Sequence, residues 1–166
     1  MKRLGVAALF LATVLVQVTW APRLTVAGAF PNLALVAVIA ITWTAGLRQG
    51  MASACVAGLM LDLTSDGPLG PHAVALLAGA YLTGFWIRNL DRESLLHPVV
   101  AAAASTAVYS LVLVVADNVL GLPVPALGIA LQLIVAASIY NAALMPIALG
   151  LVRNLHAQGA RRPEPV

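Results

Sequence analysis

Charge is what this sequence has least of. Asp, Glu, Lys and Arg make up 9% of its 166 residues, against roughly a quarter in an ordinary soluble domain. So sparse a charge set cannot solvate a water-exposed surface, and an ordinary soluble domain is excluded. Cysteine is scarcer still. Cys55 stands alone, which rules out an internal disulfide and any paired-cysteine metal motif and leaves a small buried apolar residue as the expectation. Aromatic residues account for 5%, so bulky packing anchors are few. The abundant Ala and Gly instead set helix contacts by close backbone approach.

What is present is apolar sequence along the whole length, 61% hydrophobic with a mean hydropathy of +0.97. A helix crossing the roughly 30 Å of bilayer hydrocarbon needs about 20 such residues. Six spans are predicted, over residues 4–21, 33–47, 50–63, 71–87, 98–120 and 124–152. The expected fold is an all-α integral membrane protein, a six-helix transmembrane domain over 1–152 with a short, basic, disordered tail over 153–166. Lys2 and Arg3 ahead of an apolar stretch resemble a secretory signal. Thr19-Trp20-Ala21 puts a ring where a small residue should stand, so the stretch reads as a mature helix.

Basic residues orient the spans. Lys2, Arg3, Arg48, Arg88, Arg92, Arg153, Arg161 and Arg162 fall on one side of this topology and only Arg23 on the other, which predicts both termini in the cytoplasm. The net charge of +3 is spread singly or in pairs between apolar runs, a distribution that positive-inside bias explains without a nucleic-acid partner. Trp20, Trp43 and Trp86 lie near span ends, as interface anchors do. No internal repeat is visible.

One segment does not read as a simple span. The stretch between Arg48 and Arg88 must cross twice and also hold the run from Asp62 through Thr64, Ser65, Asp66, Gly67, Pro68 and Gly70 to Pro71 and His72. The third and fourth helices are therefore expected to be short, joined by a Gly/Pro-rich dip that faces the bundle interior. Non-helical backbone in lipid persists only where protein or trapped water satisfies it. Gly67 and Gly70 permit positive φ, Pro68 and Pro71 fix turn geometry, and Asp62 and Asp66 offer acceptors for free backbone donors.

Asp62 and Asp66, four residues apart, could also form a proton relay or an intramembrane carboxylate pair. Both would then come from one helix end that runs into Gly-Pro, a placement that suits capping or a partner contact better than catalysis. His72 beside them could bind a metal, but His97 and His156 fall at the other membrane face, so no three-ligand site forms. Asp117 and Asn118 close the fifth span near the outer interface. In the sixth, Gln132, Ser138, Tyr140 and Asn141 supply polar groups along a helix that Pro146 should kink. These spacings hold no nucleophile–base pair, and neither catalysis, a cofactor nor a metal is expected.

Three elements in this order carry a family likeness: Pro31-Asn32-Leu33 opening the second span, Gly58 to Asp62 followed by Gly67-Pro68-Leu69-Gly70-Pro71-His72-Ala73, and Tyr140-Asn141-Ala142 with Pro146. Together they resemble the bacterial rod shape-determining family MreD, over nearly the whole chain. Pro-Asn-Leu departs from the Pro-Asp-Leu that the family commonly shows, so Asn32 brings no carboxylate. The resemblance implies a subunit of the cell-elongation machinery in the cytoplasmic membrane. It would work with the single-span protein MreC, and through it with MreB, RodA and a penicillin-binding transpeptidase in peptidoglycan synthesis. It also implies an architecture like the substrate-binding subunits of energy-coupling-factor vitamin transporters. A small-molecule-binding transporter subunit, with its pocket around Asp62 and His72, is the competing expectation.

Overall fold

The structure, a computed structural model, describes residues 12–13, 15–17, 19, 28, 30–65, 67–89, 94 and 96–160. Among these it is helical and contains no strand. Five helices follow one another: α1 Leu33–Ala45, α2 Leu47–Thr64, α3 Pro71–Asn89, α4 Leu96–Val119 and α5 Leu127–Ala160. Residues 12–13, 15–17 and 19 are also helical and fall within the first expected span. Lys2, Arg3, Trp20, Arg23, Asp66, Arg92, Arg161 and Arg162 lie outside the described residues.

α1 is apolar on every side, and such a helix is stable only when surrounded. Ten of its 13 residues are buried, and it touches α2, α3, α4 and α5. Trp43 belongs to this core at 3% exposure, so it is not the interface anchor expected from its place near a span end. The reason is that α1 is central as well as short, which lets its neighbours cover the indole. The buried Nε1 has no hydrogen-bond partner among the described residues, and Cys55, expected to be buried, is instead exposed on α2.

α1 ends at Gly46, whose φ of +94° is one that L side chains rarely adopt. Its N–H donates to the Thr42 carbonyl at 3.0 Å, and α2 begins at the next residue. There is thus no loop at Arg48, which is exposed in the first turn of α2. The turn closes tightly because a Cβ on Gly50 would lie 2.0 Å from Thr42 Oγ1 and 3.0 Å from its Cα.

The other helix pairs form similar hairpins, their contacts falling about evenly on either side of each turn. Gly58 lies against Ala73 across α2–α3, Thr83 meets Ser105 across α3–α4, and Thr106 meets Asn141 across α4–α5. The alternation puts Arg48, Arg88 and Arg153 at one end of the bundle and Asp117 toward the other. It also shows where α1 starts. The Asn32 N–H donates to Asn141 Oδ1, and Asn141 stands about 21 Å along α5 from Leu127 at 1.5 Å per residue. α1 therefore opens deep inside the bundle, and the α4–α5 hairpin rises far beyond it.

Element lengths depart from expectation in three places. α2 and α3 hold 18 and 19 residues, more than the expected spans but still fewer than the 24 and 34 of α4 and α5, since helix continues through Arg48 and Arg88 instead of stopping at them. The connection, described at residues 65 and 67–70, consequently sits at the helix ends. Gly67, Pro68 and Leu69 are exposed, so the loop does not dip into the bundle as a whole, and only its return toward α3 is covered. Finally, α5 passes the expected boundary at Arg153 and stays helical to Ala160, because the first strong breaker after Pro146 is Pro163. Pro146 itself lies within the helix without ending it. Among the described residues two helices are long and apolar enough to cross a membrane, 96–119 and 127–155.

Candidate functional site

The polar side chains of this apolar bundle gather into a few interior contacts. The main one is built on Asp62, two residues before α2 ends, whose carboxylate has 0% exposure. Its Oδ2 accepts the backbone N–H of Gly70 at 2.9 Å and of Ala73 at 3.2 Å. Its Oδ1 accepts the N–H of His72 at 3.0 Å and faces His72 Nδ1 at 2.9 Å, which carries a proton toward the carboxylate.

These donors are the ones the start of α3 would otherwise leave bare. The first turn of a helix has N–H groups without intrahelical acceptors, and Pro71 at the first position removes one of them. Asp62 takes the rest, from Gly70, His72 and Ala73. It thereby caps α3 from a neighbouring helix and places negative charge at the positive end of the α3 dipole. Ser65 continues the turn, its hydroxyl donating to the Asp62 carbonyl at 3.0 Å.

Gly58, one turn back on the same face, makes the reach possible. A Cβ there would sit 2.2 Å from Ala73 Cα and 2.6 Å from Ala73 N. Only glycine lets the two backbones come this close, and that closeness brings the α3 amides within hydrogen-bond distance of Asp62. Gly70 joins in with a φ of +120°, a left-handed conformation that suits glycine.

A second polar contact holds the start of α1. Asn32 Oδ1 accepts the Leu35 N–H at 2.9 Å as a helix N-cap, while its own N–H donates to Asn141 Oδ1 at 2.9 Å. Gln17 Oε1 accepts the Leu33 N–H at 2.6 Å. Asn141, fully buried on α5, donates from Nδ2 to Thr106 Oγ1 at 3.1 Å, and Thr106 donates to the Ala102 carbonyl at 2.7 Å. Tyr109, buried one turn beyond Thr106, stands between the two contacts, its ring 6.4 Å from the His72 ring. A third contact brings Thr83 Oγ1 and Ser105 Oγ to 3.0 Å from each other, both within reach of the Gly79 carbonyl, so that one hydroxyl donates to that carbonyl and the other to the carbonyl or to its fellow hydroxyl.

Of the residues singled out in the sequence, Asn32 and Asn141 meet at the second contact, with Pro31 buried beside Asn32, and Asp62, Gly70 and His72 meet at the first. Gly67 and Pro68 form its exposed turn. Tyr140 is half-buried and Pro146 exposed on α5, neither in the hydrogen bonds described, and Asp66 lies outside the described residues. Gln17, Thr106 and Tyr109 join these contacts without having been identified as candidates. For α4 a signal existed, because Ala102, Ser105, Thr106 and Tyr109 recur at helical spacing on one buried face.

Chemically, these contacts are a set of filled hydrogen bonds. The four donors on Asp62 match the roughly four lone-pair sites of a carboxylate. The pocket expected around Asp62 and His72 is thus occupied by the chain's own backbone. No group of three or more His, Cys, Asp or Glu placed to bind a metal is found among the described residues. What the arrangement does is fix five helices against one another in a medium where an unmet polar group costs several kcal/mol.

Neither a curated protein nor a solved structure matches the chain. A family model does, that of the rod shape-determining protein MreD, over residues 2–153. The likeness first carried by Pro31-Asn32-Leu33, the Asp62–His72 turn and Tyr140-Asn141 thus extends over nearly the whole sequence, and the chain belongs to the MreD family of bacterial membrane proteins that determine rod shape.

Proposed function

We propose that this chain is a non-enzymatic subunit of the rod-elongation machinery in the bacterial cytoplasmic membrane. It spans the bilayer six times with both termini in the cytoplasm, residues 1–152 forming the membrane domain and 153–166 a short basic cytoplasmic tail. Its binding partner is an MreC-like single-span protein, and through it the chain joins MreB, RodA and a penicillin-binding transpeptidase to regulate peptidoglycan synthesis. The architecture in this reading is that of an energy-coupling-factor substrate-binding subunit, without the ligand.

The observation that carries the reading is the family match over residues 2–153. Two features agree with it. Asp62, His72, Asn32 and Asn141 are engaged in holding helices together, which suits a protein that works by offering surfaces. Arg48, Arg88 and Arg153 emerge at a common end, which suits a cytoplasmic face.

Co-purification tests the reading. Tagged full-length chain, extracted from native membranes in a mild detergent, is expected to recover the single-span elongation subunit in near-stoichiometric amount. Recovery of folded chain with no elongation protein would overturn it.

A further inference from the structure

A cavity of about 330 Å³ opens between the helical residues Ala12, Thr13 and Val16, α1 and α5. Its lining is apolar, with Val16, Leu33, Ala37, Leu144, Ala148 and Val152 prominent, and the exposed Ile147 and Leu151 flank its opening. We propose that it holds one acyl chain of an anionic phospholipid whose headgroup sits at Arg153.

Position, size and charge favour this occupant. The groove begins at Leu33, next to the Asn32–Asn141 contact deep in the bundle, and ends at Val152. Leu144 and Val152 are about 12 Å apart along α5, most of the roughly 15 Å of hydrocarbon in one leaflet. A groove of about 330 Å³ running about 12 Å along α5 accommodates most of one unbranched chain. Arg153 follows the last lining residue and is exposed, at the membrane face where α5 emerges. Its guanidinium pairs with a phosphate through two parallel N–H bonds. The inference needs only that α5 crosses the bilayer, and it holds whichever partner the protein recruits.

Native mass spectrometry of the full chain, taken from vesicles containing equal phosphatidylglycerol and phosphatidylcholine and then delipidated in detergent, tests it. The wild type is expected to retain one phospholipid, with phosphatidylglycerol favoured about fivefold, the ratio one basic residue near the surface supplies. Ala148→Phe, or Ala12→Phe from the opposite wall should the first variant misfold, is expected to fill the groove and lose that lipid while the protein keeps its unfolding temperature. Arg153→Gln is expected to keep the lipid and lose the preference. A wild type that retains no lipid, or retains both lipids equally, would overturn the proposal, as would a folded groove-filling variant with unchanged lipid.

Discussion

Replacing Asp62 by Ala removes four hydrogen bonds at once and leaves the amides of Gly70, His72 and Ala73 without their acceptor. A buried donor left unmet costs about 1–3 kcal/mol, and bonds to a charged group are worth about 1.5–3 kcal/mol each. Gly70 and His72 are half-buried and can recover part of this from water, whereas Ala73 is buried. A net loss of about 3–4 kcal/mol at the α2–α3 turn follows, concentrated in the first turn of α3. At 1.4 kcal/mol per tenfold, the amides of residues 70–74 should exchange with deuterium on the order of 10²- to 10³-fold faster than in the wild type. Amides near Thr106 and Asn141, held by a separate contact, should keep their protection. Asp62→Asn retains one oxygen acceptor and should show a smaller acceleration. Exchange at residues 70–74 within threefold of wild type in Asp62→Ala would refute the capping argument.

Other positions test the packing that brings the cap into place. Gly58→Ala should lower the unfolding temperature in detergent despite the higher helix propensity of alanine, because the obstacle is the Ala73 backbone; a cost of about 1–3 kcal/mol is expected. Gly46→Ala meets no atom within 4 Å, so only its backbone at φ +94° and ψ 166° is strained, at about 1–3 kcal/mol. Gly50→Ala strikes Thr42 and should be the more damaging of the two in a side-by-side thermal melt. A double-mutant cycle between Asn141→Ala and Thr106→Ala, read by chemical unfolding in mixed micelles, should give a coupling of about 0.6–1.7 kcal/mol, the range for interhelical bonds in membranes. Zero coupling would remove that bond from the account.

The all-helical character and most helix positions were legible in the sequence because long apolar runs and Pro or Gly punctuation are local signals. Pro71 marks the start of α3, and the α4 boundaries Leu96 and Val119 lie within two residues of those expected. The α1–α2 corner was not legible. Arg48 looked like loop, yet a lone Gly46 at positive φ turns the chain, and the arginine sits on a helix end with its side chain in solvent. Trp43 illustrates the same limit, since closeness to a span end says nothing about whether neighbouring helices cover the ring. The Asp62 turn was half legible. Its residue types announced a cap, but the choice of Gly70, His72 and Ala73 as donors depends on how closely α2 approaches α3, which Gly58 decides in three dimensions. Gln17 and Tyr109 could not be assigned, because their partners are distant in sequence.

The account rests on the claim that Asp62 and His72 act at the α2–α3 turn by holding the fold and not by ionisable chemistry there. Cell shape measures this directly. In a rod-shaped bacterium depleted of its own copy, the triple variant Asp62→Asn, Asp66→Asn, His72→Gln should restore the same cell aspect ratio as wild type when the two are compared at equal amounts of folded, membrane-inserted protein. Round cells at an equal folded amount would contradict the claim and assign those side chains a chemical role.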